Sequence, residues 1–157
     1  NPSAPNNNTA IAPMKNIVMT FAEVEFIKAE LAFKGIIAGD AESFYNSGIT
    51  AAMKIWNIDT PSEYFANENV IYNGTFEQIM LQKYFALYFT DNQQWLEFRR
   101  TGFPVMPLEP NLYNDAKMPV RYPYPQDVKR QNTENYQDAV QHMGPDDINT
   151  RVWWDVK

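Results

Sequence analysis

The chain of 157 residues contains no cysteine and a single histidine, His142. Without cysteine there is no disulfide framework, no thiol nucleophile and no thiolate metal site. A lone histidine excludes a metal centre built from several imidazoles, and it leaves one candidate base for a Ser/His/Asp triad. We favour a structural role for His142, because it lies in the last turn of a predicted helix, where a cation interacts well with the helix dipole.

Basic residues are also few, since 13 lysines and arginines face 19 aspartates and glutamates and give a net charge of −6. Nucleic-acid phosphates require a basic surface, so we expect no nucleic-acid partner. No apolar run approaches the ~20 residues that span a bilayer. Residues 1–19 are polar, rich in proline and asparagine, and unlike a signal peptide, so we expect them to form a linker or loop.

Carboxylates are plentiful, and counting them does not exclude a glycosidase-like pair, which needs two carboxylates ~5–10 Å apart across a cleft. Glu23, Glu25 and Glu30 lie on a predicted helix, where capping and i,i+4 pairing account for them. Asp91 is not followed by the spaced oxygen ligands of a calcium loop, and no phosphate-binding glycine loop occurs. The sequence therefore predicts no catalytic residue, no metal site and no cofactor.

Helix signals dominate residues 20–104. Thr20, Thr60 and Thr75 each begin a capping box, with Glu or Gln three residues later. Behind Thr20 and Thr75, apolar residues recur at helical spacing on more than one face. These patterns predict helices that pack on two sides.

A helix predicted from Asp40 follows a short connection between Gly35 and Gly39, so the first two helices are expected to fold back antiparallel. Gly48 lies inside the second helix, where glycine normally costs ~1 kcal/mol. We expect it to be tolerated because a neighbouring backbone approaches closely. The pair has the length and small residues of a tetratricopeptide hairpin.

The amino-acid composition changes after Pro104, where many prolines predict an extended segment that reaches residue 127. One last amphipathic helix is predicted over residues 132–144. The predicted fold class is therefore all-α, with helical hairpins in tetratricopeptide-like packing plus a long Pro-rich irregular C-terminal segment.

Arg99 and Arg100 are adjacent, in the last turn of a predicted helix that Gly102 ends. A guanidinium group donates in a fork that holds backbone carbonyls or a carboxylate such as Glu23 or Glu30. We favour structural ties, in particular to the Pro-rich segment that follows, over direct ligand contact. Direct contact with a ligand stays open as the alternative.

Several segments, taken in order, resemble one family. They are a helix with the sequence AEVEFIKAELA from Ala22, a Tyr-x-x-Gly-Ile start at Tyr45, a Gln-Lys-aromatic triplet at Gln82, the stretch from Trp95 through Arg99-Arg100-Thr-Gly-Phe to Pro104, an Arg…Tyr-Pro…Asn series from Arg121 to Asn132, and a Trp-Trp-Asp at Trp153. In these segments the chain resembles the C-terminal part of SusD/RagB-type nutrient-binding outer-membrane lipoproteins.

The resemblance implies a helical, non-enzymatic protein at the cell surface of the outer membrane. Such a protein is lipid-anchored and works as a lid on a TonB-dependent SusC-like outer-membrane transporter, capturing an oligosaccharide or peptide nutrient. Residues 20–157 would then be the C-terminal helical part and not a complete domain. The lipidated cysteine and most ligand contacts would belong to the remaining N-terminal part of the same protein. The signature residues are Glu23, Glu30, Trp95, Arg99, Arg100 and Arg121, and we assign them structural roles.

Three residues in irregular stretches are weak candidates for ligand binding: Tyr72, Asn73 and Tyr113. Loops often carry binding residues, and sugars are generally bound by aromatic faces with polar neighbours. Two other hypotheses stay open at this point. One is a helical protein–protein interaction scaffold without a small-molecule ligand, and the other, ranked low, is a glycan-cleaving enzyme.

Overall fold

The computed structural model describes residues 17–111 and 113–156, which fall into two compact units divided between Val105 and Met106. The first unit contains helices α1 (Phe21–Phe33), α2 (Ala41–Ile55), a short 3-10 helix (Ser62–Ala66), α3 (Phe76–Ala86) and α4 (Gln93–Thr101), and the second contains α5 (Gln126–Gln131) and α6 (Thr133–Met143). These described residues include no strand. The predicted all-α class is confirmed.

The helices begin where local side chains satisfy free backbone amides. The side chains of Thr20, Asp40 and Thr75 accept hydrogen bonds from the amides three residues ahead, at 3.0, 2.9 and 3.2 Å. The capping box predicted at Thr60 is wrong. Pro61 takes the N-cap position of the 3-10 helix without a side-chain bond, and the buried Thr60 hydroxyl has no partner in the described part of the chain.

Helices α1 and α2 form the predicted antiparallel hairpin. The ring of Phe26 faces Gly48, while Lys28, farther along α1, lies over the ring of Phe44, earlier in α2. The order of contacts is therefore reversed between the two helices. Gly35 (φ 68°) supports the turn between them in a left-handed conformation that other residues rarely adopt.

The group that requires glycine at position 48 differs from the one we predicted. A Cβ atom there would lie 2.9–3.0 Å from three carbons of the Phe26 ring. The close neighbour is thus an aromatic side chain, not a backbone. Phe26 is fully buried and packs edge-on against Tyr45, with ring centroids 6.1 Å apart, so it has little room to move away.

We expect Gly48→Ala to lower the free energy of unfolding by about 1 kcal/mol. The added methyl group overpacks the core at a cost of ~1–3 kcal/mol, which outweighs the ~1 kcal/mol gain in helix propensity. Urea unfolding measures the difference. Ser47→Ala, one residue away and exposed, is the control and should leave stability unchanged or slightly raised. A Gly48→Ala protein more stable than wild type would contradict the packing argument.

The core of the first unit lies where α1, α2 and α3 meet, and its buried members are Phe26, Ala29, Tyr45, Ile49, Val70, Ile79 and Met80. Tyr45 ties the loop before α3 to this core, because its hydroxyl donates to the carbonyl of Val70. Gln78 Nε2 donates to the Tyr45 hydroxyl at 2.9 Å and to the Asn69 carbonyl at 3.0 Å. The loop is therefore held by side chains from two helices.

The second unit departs from the sequence prediction in its helices. The single amphipathic helix predicted over residues 132–144 is preceded by the short helix α5, and Asn132 (φ −135°, ψ 49°) separates α5 from α6. The Pro-rich residues before them form no regular helix wherever they are described. None of the helices described here has the length and apolar character needed to cross a membrane.

Candidate functional site

A cluster of charged side chains joins α1, α3 and α4. Glu30 accepts a two-pronged contact from Arg100, at 2.8 and 2.6 Å, and a further hydrogen bond from Lys34 at 2.5 Å. Arg100 also bonds to Glu97 at 2.8 Å, and Glu97 lies 3.0 Å from Lys83. Side chains of Glu30 and Lys83 are only 8% and 3% exposed. Charges buried to this degree need such partners.

The same contacts keep the acidic members of the cluster ionised. Burial by itself raises the pKa of Glu30, but hydrogen bonds from Arg100 and Lys34 outweigh it and lower the pKa from 4.5 to about 2. Burial also raises the pKa of Glu97, but the interactions with Arg100 and Lys83 outweigh burial and lower it. A general acid needs a raised pKa. These carboxylates are therefore suited to anchoring helices and not to donating protons.

The pKa of Glu30 makes stability depend on pH in a defined window. Since the folded pKa (about 2) lies below the ordinary 4.5, the stabilisation from Glu30 is fully present above pH 4.5 and is lost as pH falls towards 2. We expect Glu30→Gln to be less stable than wild type at pH 7 and to lose less on acidification. Urea unfolding between pH 7 and 2 measures this. Glu68→Gln, at an exposed position, should follow the wild-type curve; a Glu30→Gln curve parallel to wild type would contradict the linkage.

The two adjacent arginines serve different partners, as expected for neighbours on a helix. The guanidinium group of Arg99 lies over the Trp95 ring, 4.9 Å from its centroid. Arg100 makes its forked contact with Glu30. Sequence analysis favoured the Pro-rich segment as the partner, whereas this contact ties α4 to α1. Glu23, whose amide bonds to Thr20, is a buried part of the α1 cap.

The residues predicted to bind ligand have different surroundings. Tyr72 is half-buried, and its ring centroid lies 5.2 Å from that of Tyr45. The Asn73 side chain accepts hydrogen bonds from the amide and hydroxyl of Thr75, at 3.0 and 2.7 Å, and so belongs to the turn that starts α3. Tyr113 lies in the second unit and is fully exposed. Of the three candidates, Tyr113 has the side chain most open to a ligand.

A groove that sequence analysis missed lies between α2, the 3-10 helix and α3. It encloses about 120 Å³, and its walls include the aromatic rings of Trp56, Tyr64 and Phe85, the aliphatic side chains of Ile49 and Met53, and the carboxamide of Gln82. Trp56 is the C-cap of α2, and Gln82 lies on α3. Tyr64 on the 3-10 helix lines the same groove. Apolar periodicity within one helix does not predict which residues of different helices line a common groove.

Exposed aromatic side chains continue from this groove past the C-terminal end of α3. Phe85, Tyr88 and Phe89 are 58%, 58% and 54% exposed. The Phe89 ring packs on Trp56 with centroids 5.8 Å apart, and Phe89 adopts a φ of 64°, which is unusual for a bulky residue. The signal present in the sequence was the aromatic density of residues 84–89.

In the second unit, polar groups converge on Asp146. Its carboxylate accepts from Arg121 at 3.1 Å, Lys129 at 2.6 Å, the amide of Tyr124 at 3.0 Å and the hydroxyl of Tyr136 at 3.2 Å. Burial raises the pKa of Asp146, but the hydrogen bonds from Lys129 and the Tyr124 amide outweigh burial and lower it. Arg121, a signature residue, is buried in this cluster. The arrangement closes the Pro-rich segment against the residues that follow α6.

Residues 1–125 match a family of SusD-like proteins described as starch-binding and associating with the outer membrane. The chain belongs to the SusD-like family. Solved structures agree with this assignment. A SusD homolog from Bacteroides fragilis is 27% identical with a TM-score of 0.72, and the match covers 88% of this chain and 35% of that one.

Two further solved structures resemble this SusD-like chain. A SusD-like protein from Bacteroidetes AC2a is 32% identical over 90% of this chain and 31% of its own, with a TM-score of 0.77. A structure named as a chitin-binding protein is 28% identical over 87% and 33%, with a TM-score of 0.72. The chain thus spans about a third of the length of these structures. No curated protein matches it.

Proposed function

We propose that this SusD-like protein is the non-enzymatic binding subunit of a nutrient importer at the cell surface. It captures a glycan or peptide, works with a TonB-dependent SusC-like transporter, and is held on the outer membrane by a lipid anchor. The observation that carries this proposal is the match of residues 1–125 to a family described as starch-binding and associating with the outer membrane. The similar chitin-binding structure supports a glycan as the nutrient.

The electrostatics of the described residues favour binding over hydrolysis. A retaining or inverting glycosidase needs one carboxylic acid whose pKa is raised, so that it protonates the leaving oxygen. The pKa values of Glu30 and Glu97 are instead lowered by arginine and lysine side chains, and that of Asp146 is lowered by hydrogen bonds from Lys129 and the Tyr124 amide. A carboxylate that stays ionised beside a guanidinium or ammonium group is a poor proton donor.

We propose Tyr113 as the first of the predicted residues to test as a ligand contact. Its ring is fully exposed, so a sugar face can stack on it without displacing protein atoms. Tyr72 presents the part of its ring that does not pack on Tyr45. Asn73 keeps its amide nitrogen for a ligand, because its bonds to Thr75 use the oxygen.

The proposal is tested with the full-length protein. Calorimetry with maltoheptaose and chitohexaose measures glycan binding, a peptide library measures the alternative nutrient, and affinity purification from outer membranes measures the association with the transporter. Binding of a nutrient together with the transporter supports the proposal. Capture of the transporter with no nutrient binding would favour the scaffold hypothesis, and release of reducing sugar from a polysaccharide would show an enzyme.

A further inference from the structure

The sequence contains one Asn-Gly pair, Asn73-Gly74, in the loop that precedes α3. Both residues are exposed, and a Cβ atom at position 74 would have no neighbour within 4 Å beyond the adjacent residues. Gly74 has a φ of 73°, a left-handed conformation that glycine adopts readily. No side chain on the following residue therefore hinders the approach of the Gly74 amide nitrogen, or of water, to the Asn73 carboxamide.

The Asn73 carboxamide is held by its oxygen. Oδ1 accepts hydrogen bonds from the backbone amide of Thr75 at 3.0 Å and from the Thr75 hydroxyl at 2.7 Å. The same hydroxyl oxygen accepts from the amide of Gln78 in the first turn of α3, at 3.2 Å, which fixes its position. Two donors are thus aimed at Oδ1, and neither of these bonds uses the nitrogen Nδ2.

We propose that Asn73 is a site of spontaneous deamidation. The Gly74 amide nitrogen loses its proton to water or hydroxide and attacks Cγ of Asn73, so that a new N–Cγ bond closes a ring. The Cγ–Nδ2 bond breaks, and Nδ2 takes up a proton and leaves as ammonia. Water then opens the cyclic imide, at Cγ to give aspartate or at the backbone carbonyl to give isoaspartate. One water is consumed and one ammonia released, and no group is oxidised or reduced.

Thr75 favours this reaction at the atom where charge develops. Attack on Cγ moves negative charge onto Oδ1, to which the amide and hydroxyl of Thr75 already donate. Donors positioned at a developing oxyanion lower the barrier to its formation. The N-terminus of α3, which begins at Phe76, adds a positive potential nearby. The inference goes beyond the proposed function, because the reaction requires no nutrient.

Asn67, in the same loop, is a matched control within the chain. It is also exposed, and its Oδ1 accepts from the amide two residues ahead, that of Asn69, at 2.9 Å. The two asparagines therefore form the same kind of turn. Asn67 is followed by Glu68, whose Cβ atom hinders attack by the amide nitrogen, and Asn69 has no hydroxyl group to donate.

Peptide mapping by mass spectrometry of the full-length protein, incubated at neutral pH, measures the exchange of NH2 for OH at each asparagine. Asn73 should deamidate about tenfold faster than Asn67 or more, because the missing Cβ atom and the additional donor both favour it. The rate should rise with pH, since the attacking nitrogen must lose its proton. Deamidation at Asn73 that is no faster than at Asn67 would overturn the site.

Two substitutions test the role of the Thr75 hydroxyl. Thr75→Val keeps the shape of the side chain and should slow deamidation of Asn73 about fivefold, the effect of one hydrogen bond. Thr75→Ser retains the hydroxyl and should react at the wild-type rate. Faster deamidation in Thr75→Val would mean that the hydroxyl restrains the turn, and would overturn the role assigned to it. Circular dichroism checks that Thr75→Val keeps its helices, and the comparison of Asn73 with Asn67 in wild type holds even if this variant does not fold.

Discussion

Replacing Arg100 by alanine is expected to lower the free energy of unfolding by about 3 kcal/mol, because breaking a buried ion pair leaves an uncompensated charge. Glu30, 8% exposed, would lose both of its bonds to the guanidinium group and keep only Lys34. Glu97 would lose the same partner and keep its ion pair with Lys83 on α3. The loss falls at the low end for buried pairs, since the Arg100 side chain is 44% exposed.

Urea unfolding of Arg100→Ala measures this effect, and the chain supplies a matched control. Arg130 pairs with Asp127 at 2.5 Å, but both side chains are over 70% exposed. Arg130→Ala should therefore change stability by no more than about 0.5 kcal/mol. If Arg100→Ala weakened nutrient binding and left stability unchanged, Arg100 would be a ligand contact and our structural interpretation would be wrong.

Asp146→Asn is expected to destabilise the second unit by about 2 kcal/mol, because it leaves the buried Arg121 without its anion. The side chains of Asp146 and Arg121 are 4% and 8% exposed, so water replaces little of the lost interaction. The amide of Tyr124 and the hydroxyl of Tyr136 would also lose part of their acceptor. The carboxamide preserves the shape of the side chain, so the effect reports on charge.

Hydrogen exchange locates this effect within the second unit. The Tyr124 amide donates directly to Asp146, so its exchange in Asp146→Asn should accelerate about 30-fold, which corresponds to about 2 kcal/mol at a factor of ten per 1.4 kcal/mol. Asp127→Asn is the control, since the exposed Asp127 bonds only to Arg130 in the described contacts. Equal protection of the Tyr124 amide in Asp146→Asn and wild type would show that the cluster does not hold the segment.

Local interactions explain why the helices were predictable. The caps at Thr20, Asp40 and Thr75 bond to amides three residues ahead, so the sequence alone contains both partners. Gly102 ends α4 with a φ of 83°, again a property of one residue. Thr60 shows the limit of such patterns, because the same capping sequence leads into a 3-10 helix whose N-cap position is taken by Pro61.

The sequence by itself determined the helical class and the family, because these depend on residue spacing and on the order of short segments. Only the tertiary structure decided which partner each polar side chain found. Arg100 reaches Glu30 across 70 positions, and Gln78 finds partners where Gln82, four residues later, lines a groove. Such outcomes depend on how the helices pack. The neighbouring elements decide whether a polar side chain finds a hydrogen-bond partner or lines a groove.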